Sequence, residues 1–412
     1  MVGMKIDHLH FYVDDAVQWQ AWFVDCLGFQ GLGAWQSQAT DYRAVQSGSI
    51  VFLLSSPRTT ASAVAYFFQH HPPGIVDVAL EVEEIERTLA QALQAGATLL
   101  QPLQHQGQHQ GQIHWAKIGG WGTVHHTLIQ RDGLTPAFAP GIGPLPGDCY
   151  PWSHAPRTHA LCRHRDRDPV SIPCLDSMAQ SLSLSSRNPV RPWGVESIDH
   201  VVLNVEKGQL TAAIDWYQKV LGFQPHQIFD IQTDASALRS QVLVRDQIQF
   251  PINEPSSGNS QIQEFLDHNR GPGIQHVALH TWNAIRTINE LCRRGIPFLE
   301  IPAQYYETLG QRLQLETLQL ETLGIEMNQL AAQGILLDWH PGSPQAALLQ
   351  TFTQPIFSQP TFFFEIIERR TYRNNQGQSQ QAQGFGEGNF QALFEAIERE
   401  QEKRGNLQSS RS

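Results

Sequence analysis

Two histidines and a glutamate in the C-terminal half form the most promising chemical set in the chain: His200 in IDHVVLNV, His276 in GIQHVALH and Glu365 in TFFFEIIER. Each lies in a short run with the two-residue alternation of a strand, so the three come from three different strands. Two imidazole nitrogens and a carboxylate are donors for a divalent metal. A lone histidine on an apolar strand is more often hydrogen-bonded core than ligand. A glutamate among aromatic residues is harder to place that way, because a buried carboxylate is costly unless paired or metal-bound.

An internal repeat picks out the same three residues. IDHLHFYV from Ile6 returns as IDHVVLNV from Ile198, an offset of 192, and WFVDCLGFQ from Trp22 returns as WYQKVLGFQ from Trp216, an offset of 194. GIVDVALEVEEIERTLAQALQAGATLL from Gly74 matches GIQHVALHTWNAIRTINELCRRGIPFL from Gly273 without a gap, and HTLIQR from His126 resembles FEIIER from Phe364. Four matches in one order mark a duplication. His8 is the partner of His200, but Asp77 stands opposite His276 and Thr127 opposite Glu365. Only the second half therefore offers His, His and Glu, the facial triad of non-haem Fe(II) oxygenases, which leaves three positions of an octahedral ion open for a chelating substrate and O₂. Zinc, nickel or manganese could use similar donors.

Stepping outward, each half reads as two β-α-β-β(-β) modules, so the expected fold class is α+β, with duplicated βαβββ modules forming two half-open β-barrel domains and a C-terminal helix added. The helix pattern is plain in AIRTINELCRRG, where Ile285, Ile288 and Leu291 form a stripe and Gly295 is the stop. From Asn389, read as an N-cap, a last helix puts Phe390, Leu393, Phe394 and Ile397 on one face. The expected domains are 1–135, without a complete metal site, and 193–405, carrying the site and a lid helix, joined by a linker or insertion at 136–192. HQGQHQGQIH from His105 and the Gln-rich stretch from Arg369 to Gln383 read as polar loops, and His280 as a strand-end residue at the rim.

Composition narrows the class. The 412 residues carry 28 Lys+Arg and 39 Asp+Glu, a net charge of −11, with 41% hydrophobic and only 16% charged residues. An acidic chain without a basic stripe argues against nucleic acid or an anionic membrane as partner. No apolar run approaches the roughly 20 residues of a membrane span. The first residues turn polar too soon for a secretory signal, so the expected location is the cytoplasm.

These motifs, with PINEP from Pro251, QIQEFLDHN from Gln261, YYETLGQRL from Tyr305, GILLD from Gly334, LLQTFTQP from Leu348 and GFGEGNFQALFEAIE from Gly384, resemble the 4-hydroxyphenylpyruvate dioxygenase family of the vicinal-oxygen-chelate superfamily. The resemblance is strong from about Val195 to Gly405 and weaker before it. It implies one Fe(II) per chain on His200, His276 and Glu365, with 4-hydroxyphenylpyruvate and O₂ converted to homogentisate and CO₂, for tyrosine catabolism or for prenylquinone synthesis. It implies that Ser240, Asn253, Gln261 and Gln275 form a polar network toward the substrate. Pro251, Gln350, Phe352, Phe363, Phe385, Asn389 and Phe390 would line the substrate pocket, and the chain would form a dimer or tetramer. The rivals are 4-hydroxymandelate synthase, an extradiol catechol dioxygenase and a metal-free binding module. Pro251, Phe385 and Phe390 favour the dioxygenase over the synthase, and the three intact ligands argue against the binding module.

Overall fold

The computed structural model describes residues 3–108, 111–133, 193–233, 236–315, 320–340, 343–373 and 376–405. The alternating runs form strands, and they assemble twice in one order. The first half comprises β1 (Lys5–Tyr12), α1 (Ala16–Asp25), β2 (Gln30–Gln36), β3 (Thr40–Ser47), β4 (Ile50–Pro57), α2 (Ala63–Phe68), β5 (Gly74–Glu81), α3 (Ile85–Gln94), β6 (Leu99–Gln108), β7 (Gly111–Gly119) and β8 (His125–Gly133). The second comprises β9 (Ser197–Asn204), α4 (Leu210–Leu221), β10 (Gln224–Gln232), β11 (Ala237–Arg245), β12 (Ile248–Pro255), α5 (Gln261–Asn269), β13 (Gly273–His280) and α6 (Ala284–Arg293). It continues with α7 (Ala303–Leu315), α8 (Met327–Ala332), β14 (Leu336–His340), β15 (Ser343–Phe352), β16 (Phe363–Arg369), β17 (Thr371–Arg373), β18 (Ser379–Gln381) and α9 (Phe390–Arg404).

Each half builds a mixed sheet with the same strand order, β2-β3-β4-β1-β5-β8-β7-β6 and β10-β11-β12-β9-β13-β16-β15-β14. The two βαβββ modules of a half meet where β1 pairs antiparallel with β5, or β9 with β13, and both neighbouring pairings are parallel. The expected α+β fold of duplicated modules with a C-terminal helix is the fold observed. In α6, Ile288 and Leu291 are buried, the Asn283 side chain caps the first turn, and Gly295 takes a left-handed φ of +87° just past the end. The second half differs chiefly by the insertion of α7, which carries the YYETLGQRL motif, and α8.

Strand alternation gives the central strands two jobs. On β16, Phe363 and Glu365 face a cavity, whereas Phe364 faces a core shared with the first half, stacked on Phe52 at 6.0 Å and edge-on to Phe362 at 5.0 Å. Phe362 in turn meets Phe11 at 5.3 Å. The two halves thus bury their aromatic faces against each other, and the cavity opens on the opposite face of the second sheet.

Two expected loops are strands. The HQGQHQGQIH tract contributes to β6 and β7, paired antiparallel, with its turn outside the described residues. At the edge of a sheet, polar side chains need no burial, so backbone pairing wins without an apolar alternation to announce it. Arg369–Gln383 likewise ends one strand and contains the β17–β18 pair. The linker expected at 136–192 lies outside the described residues. Among those described, no helix is long and apolar enough to cross a membrane.

Candidate metal centre

The three candidate ligands come from adjacent central strands: His200 from β9, His276 from β13 and Glu365 from β16. Their ligating atoms lie within 4.8 Å of one another. Glu365 Oε2 is 3.2 Å from His200 Nε2 and 3.8 Å from His276 Nε2, so one carboxylate oxygen and two imidazole nitrogens converge. A local irregularity helps. The β9–β13 register shifts between Ile274 and His276, so Gln275 is an extra residue, and both Gln275 and His276 line the cavity where plain alternation would separate them.

A supporting layer fixes the donors. Asp199 accepts a hydrogen bond from His200 Nδ1 at 2.9 Å, which leaves Nε2 to face the site. Arg369 grips Asp199 with two bonds of 2.6 and 2.8 Å and donates to the carbonyls of Ala382 and Gly384. His276 is held by stacking on Phe363 at 4.8 Å. Gln350 donates to Glu365 Oε1 at 2.9 Å.

The electrostatics fit a cation. Burial opposes a charged imidazole at His200, but the Glu365 carboxylate and then Asp199 outweigh it and raise its pKa to about 9. His276 moves the other way, well below the usual histidine value, through burial and the neighbouring charge of His200. In the absence of metal, the raised pKa favours a proton on His200 beside Glu365, and a metal bound there would take its place.

All fourteen residues expected to form the site line one cavity: His200, His276 and Glu365 with Ser240, Pro251, Asn253, Gln261, Gln275, Gln350, Phe352, Phe363, Phe385, Asn389 and Phe390. Asn389 does not cap α9 with its side chain, contrary to expectation. A short 3-10 turn at Glu387–Asn389 leads into the helix, and the Asn389 amide turns inward to Gln350 Oε1 at 2.9 Å. Lining residues that sequence reasoning missed include Val202, Phe229, Ile231, Leu238 and Val242. A signal existed for Val202, two residues beyond His200 on the same strand face. Asp199, Arg369 and Tyr305 were also missed, although the first two recur in both halves.

The fold agrees with comparisons to known proteins. Residues 5–121 and 197–322 match the Glyoxalase/Bleomycin resistance protein/Dioxygenase superfamily. The 4-hydroxyphenylpyruvate dioxygenase of Caenorhabditis briggsae is 34% identical over 98% of this chain and 93% of its own length. That of Dictyostelium discoideum is 33% identical over 97% of this chain and 99% of its own length. The chain belongs to the 4-hydroxyphenylpyruvate dioxygenase family. A mutant of 4-hydroxymandelate synthase from Streptomyces coelicolor superposes with a TM-score of 0.71 over 97% of this chain and 100% of its own, at 22% identity, a likeness of fold.

In this member of the 4-hydroxyphenylpyruvate dioxygenase family, the first half keeps part of the supporting layer. His8 Nδ1 bonds Asp7 at 2.7 Å, and Arg131 grips Asp7 as Arg369 grips Asp199. The other two ligand positions hold Asp77 and Thr127, which bond each other, and Lys117 places its ammonium 2.9 Å from Asp77. Burial alone would raise the Asp77 pKa, but Lys117 and Thr127 hold it well below the carboxylate range. An internal ammonium thus supplies the positive charge that a metal would supply in the second half. Lys117→Met should strand the Asp77 charge and destabilise the protein by about 2 kcal/mol, less than a fully buried pair because a quarter of the lysine side chain is exposed. Denaturant unfolding would read this, and an unchanged midpoint would deny Lys117 that role.

Proposed function

We propose that this chain is an Fe(II)-dependent dioxygenase that converts 4-hydroxyphenylpyruvate and O₂ to homogentisate and CO₂. The observation that carries this reading is the convergence of His200, His276 and Glu365 at the wall of a largely apolar cavity. The full-length dioxygenase relatives support it. Bound iron would supply electrons and open coordination positions for O₂ activation and oxidative decarboxylation.

The remaining roles fall to the chain. His200, His276 and Glu365 would hold the metal from one side, which would leave room for the keto acid to bind through its carboxylate and keto oxygens. Phe352, Phe363, Phe385 and Phe390 give the aromatic ring an apolar wall, with Phe385 edge-on to His200 at 5.3 Å. Ser240 and Asn253 are cross-strand partners, and with Gln261 and Gln275 they offer neutral hydrogen-bonding groups that can orient a phenol without competing for the metal. The apolar face of α9 closes the cavity through Phe390, Leu393, Phe394 and Ile397, limiting water at the reacting centre. This chemistry fits the breakdown of a tyrosine-derived keto acid in the cytoplasm.

Product analysis after aerobic turnover of the Fe(II)-loaded chain tests the reading. Homogentisate with an equivalent of CO₂ is expected. Hydroxymandelate as the main product would instead assign side-chain hydroxylation, the reaction of 4-hydroxymandelate synthase.

A further inference from the structure

The cavity contains an amide chain whose groups point at a candidate ligand rather than at open space. Gln350, 3% exposed, donates through Nε2 to Glu365 Oε1 at 2.9 Å and to the Phe385 carbonyl at 3.1 Å. Its Oε1 accepts from Asn389 Nδ2 at 2.9 Å. Asn389 Oδ1 accepts from the Tyr305 hydroxyl at 2.8 Å, and that hydroxyl accepts from the Leu337 amide at 2.8 Å. Both amide protons of Gln350 are therefore engaged, and a ligand could use them only by breaking this chain.

We propose that Gln350 and Asn389 are positioning residues that tie the seating of α9 to the metal-binding geometry of Glu365. The two oxygens of Glu365 have different surroundings. Oε2 faces both imidazoles, while Oε1 is held by Gln350. With Oε1 held by Gln350, a metal would be offered one oxygen of Glu365, so the three residues would supply three donors. This rests on the functional reading above, in which a bidentate keto acid and O₂ need the remaining positions.

The internal repeat separates this device from the general fold. The Asp–His–Arg cluster occurs in both halves, as Asp7, His8 and Arg131 and as Asp199, His200 and Arg369. Gln350 pairs with Ile367 across β15–β16, and the matching residue opposite Ile129 on β7 is Trp115. The amide is thus present only in the half that carries all three ligands. The turn before α9 is shaped to it: Gly386 has a φ of +74°, and a Cβ there would lie 2.0 Å from Gln350 Oε1. Gly386 thus lets the backbone approach the Gln350 amide.

The test uses the full chain and Co(II) alone, without substrate. Co(II) affinity is expected to fall by about 10- to 100-fold in Gln350→Met and by about 10-fold in Asn389→Ala, the range for groups that orient metal ligands. Tyr305→Phe removes one hydroxyl with the least risk to folding and should give a smaller loss of the same sign. By linkage, Co(II) should slow amide exchange in residues 390–397 of the unsubstituted protein, and Asn389→Ala should remove that slowing. The proposal is overturned if Tyr305→Phe and Asn389→Ala bind Co(II) normally and only raise KM for the keto acid, or if Co(II) leaves exchange in α9 unchanged. Failure of the functional reading would show separately, as no product from the Fe(II)-loaded unsubstituted chain, and would leave the Co(II) result standing.

Discussion

Glu365→Gln is expected to reduce turnover to background and to weaken metal binding by more than about 100-fold, beyond the usual loss from a supporting residue. The substitution keeps the side-chain shape and the acceptor that Gln350 can bond, so the fold around β16 should survive. It removes the only carboxylate among the three converging donors, whose oxygen lies 3.2 Å from His200 Nε2 and 3.8 Å from His276 Nε2. The metal-free protein should also change. The His200–Glu365 interaction raises the His200 pKa to about 9. Its stabilisation is fully present below the unfolded histidine value near 6.5 and is lost as pH rises through about 9. Metal-free Glu365→Gln should therefore be less stable than the unsubstituted protein at pH 6 and nearly equal to it above pH 9. Metal content and thermal melts at the two pH values would check both parts.

Arg369→Met should have the largest effect on stability, about 3–5 kcal/mol, because it leaves the Asp199 carboxylate buried without its partner. The Arg369 and Asp199 side chains are 7% and 6% exposed, so solvent screens little of the loss. Burial would raise the Asp199 pKa, but Arg369 and then His200 hold it below the carboxylate range. That contribution is fully present above the unfolded value near 3.9 and is lost as pH falls through the depressed folded value. The deficit of Arg369→Met, read by denaturant unfolding, should accordingly be full at pH 7 and shrink in acid. The first-half counterpart Arg131→Met should cost less, because Arg131 is 17% exposed.

The three candidate ligands were legible because the two halves diverged at them, which turns one chain into its own comparison. The aromatic and amide lining followed from separated motifs whose order is specific. Arg369 was not legible as a buried anchor, because it opens a Gln-rich stretch and its partner is 170 residues away. The signal was nevertheless present, since Asp and Arg recur at matching positions of both halves. Asn389 fits the composition rule for a helix cap, but a cavity amide competed for its side chain and won. The paired strands β6 and β7 escaped notice because an edge hairpin of Gln, His and Gly buries too little to show alternation. The bulge at Gln275 has no local sequence mark and emerges only from the pairing of β9 with β13.

One metal ion on His200, His276 and Glu365 should suffice to turn over the keto acid. Anaerobic loading with one equivalent of Fe(II) and 4-hydroxyphenylpyruvate, followed by a single addition of O₂, tests it most directly. The expected result is close to one homogentisate and one CO₂ per chain, with none from Glu365→Gln. Absence of homogentisate from the loaded chain, or equal yield from Glu365→Gln, would contradict the account.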